Sequence, residues 1–201
     1  MQTIDHKKQI RRQFRKTRQS ITSSKRSSYS QQICEQINQQ SFYHEARSIG
    51  VYLALEEEVQ LENLIRHARH LKKSLLLPVI EAPFSNGIMN FHSWNENDTL
   101  DTDSNGIQQL SRETLVSRNH DLISIPEILI MPLVAFSNKG ERLGMGGGFY
   151  DRYLYKCKAQ KTSPLKVGVA FSCQYSESLP TEEHDQKLDY MITENRLISF
   201  I

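Results

Sequence analysis

The 201-residue sequence predicts an α/β fold of three layers, with a mainly parallel central sheet and helices on both faces. Two observations carry this. Short apolar runs alternate with amphipathic segments along most of the chain, the order that successive βα units produce. The runs themselves (VYLAL, LLLPVI, ILIM, VGVAF) are apolar without interruption, as strands covered on both faces are. No linker and no internal repeat divides the chain. Residues 1–201 are therefore expected to form a single domain, with residues 1–40 a helical segment packed on it.

The elements follow in order. Asp5 can cap a helix running to about Ser20, whose apolar face is thin, Ile10 and Phe14. Such a helix needs the rest of the protein to hold it, because short isolated helices are marginal. Ser23 or Ser24 caps a second helix to about Gln40, with Tyr29, Ile33 and Ile37 on one face. Arg47–Leu55 reads as a buried strand. Val59–Leu71 carries Leu61, Leu64, Ile65 and Ala68 at i, i+3, i+4 and i+7, an amphipathic helix. Leu75–Ile80 is a second strand and Ile88–Trp94, loosely alternating, a third. Asn95–Gly106 is polar and reads as an exposed loop. Its acids Asp98, Asp101 and Asp103 do not fit an EF-hand. Glu127–Met131 is a strand ended by Pro132. Phe149 to about Lys158 is helical, and Lys166–Phe171 and Leu188–Thr193 are the last strands.

Composition narrows the class. With 38% hydrophobic and 24% charged residues, the chain has material for a core and is neither collagen-like nor low-complexity. No apolar run is long enough for a membrane span, and the polar, basic N-terminus lacks the apolar segment of a signal peptide. Cys34, Cys157 and Cys173 are widely spaced without a CxxC pair. That argues against a disulfide framework and a cysteine zinc site, and a reducing cytoplasm is expected. His67 and His70 share a helix but lack a third ligand.

Charge is uneven. Residues 1–28 hold nine basic side chains against one acid, and the remainder holds 16 basic and 22 acidic residues, a net of −6. A basic head on an acidic body invites an anionic partner. As a nucleic-acid binder it would have only Phe14 as an aromatic there, with Tyr29 one residue beyond.

The most informative stretch is Met131–Leu154. Five of the nine glycines lie between Gly140 and Gly148. Bare backbone lets main-chain amides close on a bulky anion, and the helix that follows points its positive end at it. Arg142 adds a forked donor for phosphate. No Gly-Lys-Ser/Thr follows, and the spacing is not GxGxxG, so neither the Walker A nor the dinucleotide fingerprint is present. Asp151, just inside the next helix, suits the helix dipole and also suits Mg²⁺ bound to phosphates. Candidates for a second carboxylate lie in the run Glu182-Glu183-His184-Asp185, with Asp189 four residues beyond Asp185. Glu56-Glu57-Glu58 follows the first strand, where ligands of open α/β sheets bind.

RLGMGGGFYDRYL resembles the signature of the 5-formyltetrahydrofolate cyclo-ligase (methenyltetrahydrofolate synthetase) family. KKQIRRQFRKTR, VYLALEEEV, MPLVAFSNKGERLG and LPTEEHDQKLDYMIT resemble its other blocks, in family order and across nearly the whole chain. The resemblance implies a Rossmann-like fold, of the build shared with sugar-phosphate isomerases and CoA transferases. It also implies a reaction. Mg²⁺ and ATP activate the formyl group of 5-formyltetrahydrofolate, which closes to 5,10-methenyltetrahydrofolate through an iminium phosphate, with release of ADP and phosphate.

Carried onto this sequence, the resemblance implies Arg142 and Tyr150 as catalytic residues. Lys7, Lys8, Arg11, Arg142, Leu143, Gly144, Met145, Gly146, Gly147, Gly148, Phe149 and Tyr150 would bind ATP. Leu53, Glu58 and the loop residues Met145 to Phe149 would face the folate, with Glu58 accepting from pterin N–H groups. Asp151 and Asp185 would bind Mg²⁺. The partners implied are these two small molecules, with no nucleic acid and no membrane, acting on a monomer. Three positions depart from the family: Gly147 stands where some relatives have Lys, Ser137 where Asp is common, and residues 104–112 match only loosely. A sugar-phosphate isomerase or CoA-transferase-like enzyme of the same build is the competing reading, and it would need no ATP.

Overall fold

The computed structural model describes residues 2–81, 87–103, 106–118 and 124–201, with side chains from Asp5 onward. The helices are α1 (Gln2–Gln19), α2 (Ser23–Asn38), α3 (Ser41–Glu45), α4 (Glu62–His70), α5 (Arg112–Ser117) and α6 (Phe149–Ala159). The strands are β1 (Ser48–Gly50), β2 (Ser74–Ile80), β3 (Met89–Ser93), β4 (Leu100–Thr102), β5 (Gln108–Leu110), β6 (Ile128–Pro132), β7 (Ala135–Phe136), β8 (Arg142–Leu143), β9 (Leu165–Val169), β10 (Tyr190–Ile192) and β11 (Leu197–Ser199).

Seven strands form one sheet in the order β11-β10-β9-β6-β1-β2-β3. The five inner strands run parallel, and β3 and β11 close the two edges antiparallel. The unbroken apolar runs have the expected cause. On β6, Ile128 and Ile130 enter a core built with α2 and α4, while Leu129 and Met131 enter a second core with Tyr153, Leu154 and Cys157 of α6. Adjacent residues point to opposite faces, so both parities must be apolar. The predicted three-layer α/β class is the one observed. No helix among the described residues is long and apolar enough to cross a membrane.

Several boundaries differ from the sequence reading. The first strand is only Ser48–Gly50. Val51 still donates to the Leu76 carbonyl, after which the chain turns, with the Glu58 amide on the Leu55 carbonyl. The helix expected from Val59 begins at Glu62. The cap of α2 is Thr22, whose hydroxyl accepts from the Lys25 amide, and not Ser23 or Ser24. Asp5 lies in the first turn of α1 and does not precede it. Asn95–Gly106 is not simply a loop: β4 lies within it and pairs with β5. Its acids hold backbone and an arginine. Asp98 accepts from the Asn95 amide and pairs with Arg118, Asp101 accepts from the Arg112 amide, and Asp103 from the Ile107 amide. Of the loosely matching segment 104–112, residues 104 and 105 lie outside the described ones.

One buried side chain ties the core to the site. Gln174, in a 3₁₀ turn at Ser172–Gln174, is 1% exposed. Its Nε2 donates to the Leu133 and Val134 carbonyls at 2.7 and 3.1 Å, and its Oε1 accepts from the Phe171 amide at 2.8 Å. It thereby fixes the chain leaving β6. Gln174→Ala orphans these groups and is expected to destabilise the protein by about 3 kcal/mol, read as a lowered urea midpoint. A loss below about 1 kcal/mol would mean that water replaces the amide.

Candidate active site

The site lies where the sheet reverses. From β1 the chain goes first to β2 on one side and later to β6 on the other, and both pair with β1 in parallel. Ligands of open α/β sheets bind beyond the strand ends at such a point. The segment leaving β1 is the acidic turn of Glu56 to Glu58. The segment leaving β6 leads through β7 and β8 to the glycine loop.

Helix α1 lies across this region by a face the sequence reading did not identify. Phe14 is buried and Ile10 half-buried, but Lys7 and Arg18 are as buried as Phe14, and Arg11 and Thr17 are half-buried beside them. Positions 7, 10, 11, 14, 17 and 18 keep helical period; the stripe was hidden because cations occupy half of it. Each buried cation meets a different part of the site. Lys7 Nζ donates to Glu182 Oε2 at 2.7 Å and Asp185 Oδ2 at 2.8 Å. Arg11 Nε donates to the Gly144 carbonyl at 2.8 Å. Arg18 pairs with Glu57 and Glu58. Lys7 and Arg18 are thus paired with the chain's own acids, and Arg26 on α2 pairs with Glu56 in the same way. Lys8, Arg12, Arg15 and Lys16 instead line, with Arg11, Met145 and Gly146, an open groove of about 650 Å³.

The glycine loop is shaped to present donors. Gly146 and Gly148 have φ of +109° and +66°, a region that favours glycine. Gly148 is the N-cap of α6. The carbonyls of Gly144 and Gly147 are turned to Arg11 and to Arg152. Among the described residues, no protein group accepts from the amides of residues 144 to 148. Met145, Gly146 and Gly147 are exposed, and Phe149 lies under the Arg152 guanidinium. Gly147, where some relatives carry Lys, has room for a larger side chain only if the Phe149 ring moves, since an added Cβ falls 2.6 Å from it. Ser137 needs no Asp: its hydroxyl donates to Glu141 at 2.7 Å and accepts from the Lys139 amide.

Asp151 is linked to the Asp185 segment through the Gln186 amide. Arg142 Nη2 holds Asp151 Oδ1 at 2.7 Å, and the same oxygen accepts from the Gln186 amide at 3.0 Å, one residue beyond Asp185. Asp185 Oδ2 accepts from Lys7 and from the Glu182 amide. Among the described residues, each carboxylate accepts its hydrogen bonds on one oxygen; the other oxygen of Asp185, Oδ1, lies 3.9 Å from His184 Nε2. Glu182, His184 and Asp185 place ligand atoms within 4.8 Å of one another, and Asp151 lies outside that tight group. Glu182 belongs to the run in which the sequence placed the candidate second carboxylate, and the structure sets it beside Asp185.

The Lys7 tie carries a pH signature. Burial opposes the Lys7 charge, but its hydrogen bonds to Asp185 and Glu182 outweigh that and raise its pKa. Burial would raise Asp185, but the bonds from Lys7 and the Glu182 amide hold it below the usual carboxylate range. A lowered carboxylate adds stability above its unfolded pKa that is lost as pH falls through the folded one. A raised lysine adds stability below its unfolded pKa that is lost as pH rises through the folded one. The tie therefore holds from about pH 4 to about pH 10. Lys7→Met is expected to be about 1 kcal/mol less stable than the parent at pH 7, a difference that shrinks below about pH 3. Urea titrations at both pH values check this; an equal gap at both would deny the ion pair any role.

At the acidic turn, Glu58 is buried, its Oε2 accepting from the Leu55 amide at 3.1 Å. Burial raises its pKa, against the pull of Arg18. Leu53 is half-buried against the α2–α4 core. Burial, and the Glu58 charge after it, push the Tyr150 phenol far above its ordinary range, so at neutral pH it is a neutral donor.

Fold and site together define an α/β class with a glycine loop at the sheet's switch point, beside a loop of carboxylates. The model of the 5-formyltetrahydrofolate cyclo-ligase family matches residues 3–194. The chain is 33% identical to the 5-formyltetrahydrofolate cyclo-ligase of Haemophilus influenzae over 90% of its own length and 94% of the relative's. It is also 33% identical to that of Escherichia coli K12, over 92% and 98%. Its fold matches the solved Aquifex aeolicus 5,10-methenyltetrahydrofolate synthetase with a TM-score of 0.76, at 24% identity, over 96% of this chain and 92% of that one. The chain belongs to the 5-formyltetrahydrofolate cyclo-ligase family and is an enzyme.

Proposed function

We propose that this enzyme converts 5-formyltetrahydrofolate to 5,10-methenyltetrahydrofolate in folate one-carbon metabolism, using ATP and Mg²⁺. The observation that carries the ATP side is the run of uncommitted amides at residues 144 to 148, between Arg11 and the Arg142–Asp151 pair and open to the basic groove. A triphosphate laid there meets main-chain donors, Lys8 and Arg11, and the positive end of α6. Asp151, Glu182 and Asp185 offer only oxygen ligands, the donor type a hard cation takes. These residues would hold Mg²⁺, which neutralises phosphate charge when bound.

The chemistry then needs positioning and charge neutralisation more than a protein nucleophile. The formyl oxygen attacks the γ-phosphorus; an O–P bond forms as the bond to ADP breaks. N10 of the folate attacks the activated formyl carbon and loses its proton. Phosphate leaves with the C–O bonding pair, and the ring closes. Arg142, Lys7 and the loop amides face the charge that develops on the transferred group. Tyr150 donates from its protonated phenol, and Glu58 accepts from the pterin N–H groups, with Leu53 and the loop residues Met145 to Phe149 beside the folate. The competing isomerase or transferase reading uses no nucleotide. The test is the absorbance of the methenyl product with 5-formyltetrahydrofolate, ATP and Mg²⁺, omitting each in turn. Product without ATP, or none with all three, overturns the proposal.

A further inference from the structure

Arg18 is 1% exposed, deep in α1, and the chemistry above makes no use of it. Its guanidinium forks onto two neighbouring acids: Nη2 lies 3.1 Å from Glu57 Oε1 and Nη1 lies 3.7 Å from Glu58 Oε1. Its Nε is buried without a hydrogen-bond partner among the described residues. Glu58 is held from two sides, Oε1 by Arg18 and Oε2 by the Leu55 amide. For stability alone this is an expensive way to fill space, since apolar replacements of buried ion pairs are often neutral or stabilising. The arrangement makes sense if Glu58 must stay charged, and in one orientation, at a place that burial disfavours.

We propose that Arg18 is a positioning residue: it orients the Glu58 carboxylate toward the bound pterin and balances its charge from the protein side. The proposal rests on the reading of Glu58 as the folate acceptor. The other groups that act on Glu58 do not substitute for Arg18. Arg15, also on α1, is exposed and acts more weakly than Arg18 or the Leu55 amide, and Glu57 opposes the charge. Tyr52 and Tyr150 are phenols that burial keeps neutral. Without Arg18, burial of Glu58 is opposed only by the Leu55 amide and Arg15, and the carboxyl takes up a proton at higher pH. A protonated Glu58 is a poorer acceptor for pterin N–H groups.

The test measures equilibrium binding of 5-formyltetrahydrofolate at pH 6 and pH 8, and the KM for ATP, in Arg18→Met, Arg18→Lys and Glu58→Gln. Arg18→Met is expected to weaken folate binding about 10-fold at pH 8 and about 100-fold at pH 6, each relative to the parent at that pH. Its ATP KM stays within about twofold of the parent. Arg18→Lys keeps the charge without the fork, so its loss is about fivefold and the same at both pH values. A purely structural role would move both substrates together and show no pH dependence, and that result overturns the proposal. If Arg18→Met does not fold, Arg18→Lys decides: unchanged folate affinity overturns the proposal, and a selective folate loss supports it. Glu58→Gln separates the two levels. If it binds folate like the parent, the reading of Glu58 fails and the proposal with it. If it binds weakly while Arg18→Met binds normally, the proposal alone fails.

Discussion

Asp151→Asn is expected to lower turnover about 100- to 1,000-fold while the protein stays folded. Asparagine keeps an oxygen for the Gln186 amide and the Arg142 guanidinium, but it removes the charge. Asp151→Ala is the worse probe. Arg142 has a side chain only 5% exposed, its Nε already lacks a partner, and Asp151 is its one ion pair among the described residues. Leaving that cation uncompensated costs about 3–5 kcal/mol. Lost activity in the alanine variant would then mix chemistry with collapse of the loop. A Mg²⁺ titration of the asparagine variant divides the two roles open to Asp151. A raised Mg²⁺ requirement means the free Oδ2 is a ligand. An unchanged requirement with low kcat means the carboxylate serves only to aim Arg142. Near-parent turnover at saturating Mg²⁺ removes Asp151 from both roles.

Gly146→Val is expected to raise the KM for ATP about 10- to 100-fold and the folate KM by less. At φ +109° a branched side chain is strained by about 1–3 kcal/mol. Its Cβ would also lie 3.3 Å from Arg11 Cζ. Relief requires the loop to rotate, which re-aims the amides of Gly146 and its neighbours, or Arg11 to release the Gly144 carbonyl. Because the loop is exposed, the fold should survive, with less than about 2 kcal/mol lost in urea. An ATP KM within twofold of the parent would show that the triphosphate does not rest on this backbone.

Both predictions concern residues that the sequence singles out, and the reason is chemical. Glycines packed into one turn, with an arginine before and an aspartate after, form a pattern that local physics explains poorly without an anion. The sheet strands other than the edge strand β11 were legible for a similar reason: burial on both faces makes every residue of β6 apolar, and that needs no partner to be seen. The two small hairpins and the helix α5 were not legible, because two- and three-residue strands and a six-residue helix leave too little periodicity to read. The acids of the β4–β5 region looked like a loop because their role is to accept from backbone amides, which no composition reveals.

The amino-acid order by itself determined the α/β class, the glycine loop at residues 144 to 148 and the identity of the acids around it. All of these are written in residues close together in sequence. Only the tertiary structure decided which charge meets which. Lys7 reaches Asp185 across 178 positions, Arg11 the Gly144 carbonyl across 133, and Arg18 Glu57 across 39. A helix whose buried stripe is half cationic reads as a solvated one until the acids that neutralise it are brought alongside. Coulombic and hydrogen-bonding partners are set by distance in space, and that distance is fixed only when the sheet's parallel crossovers close.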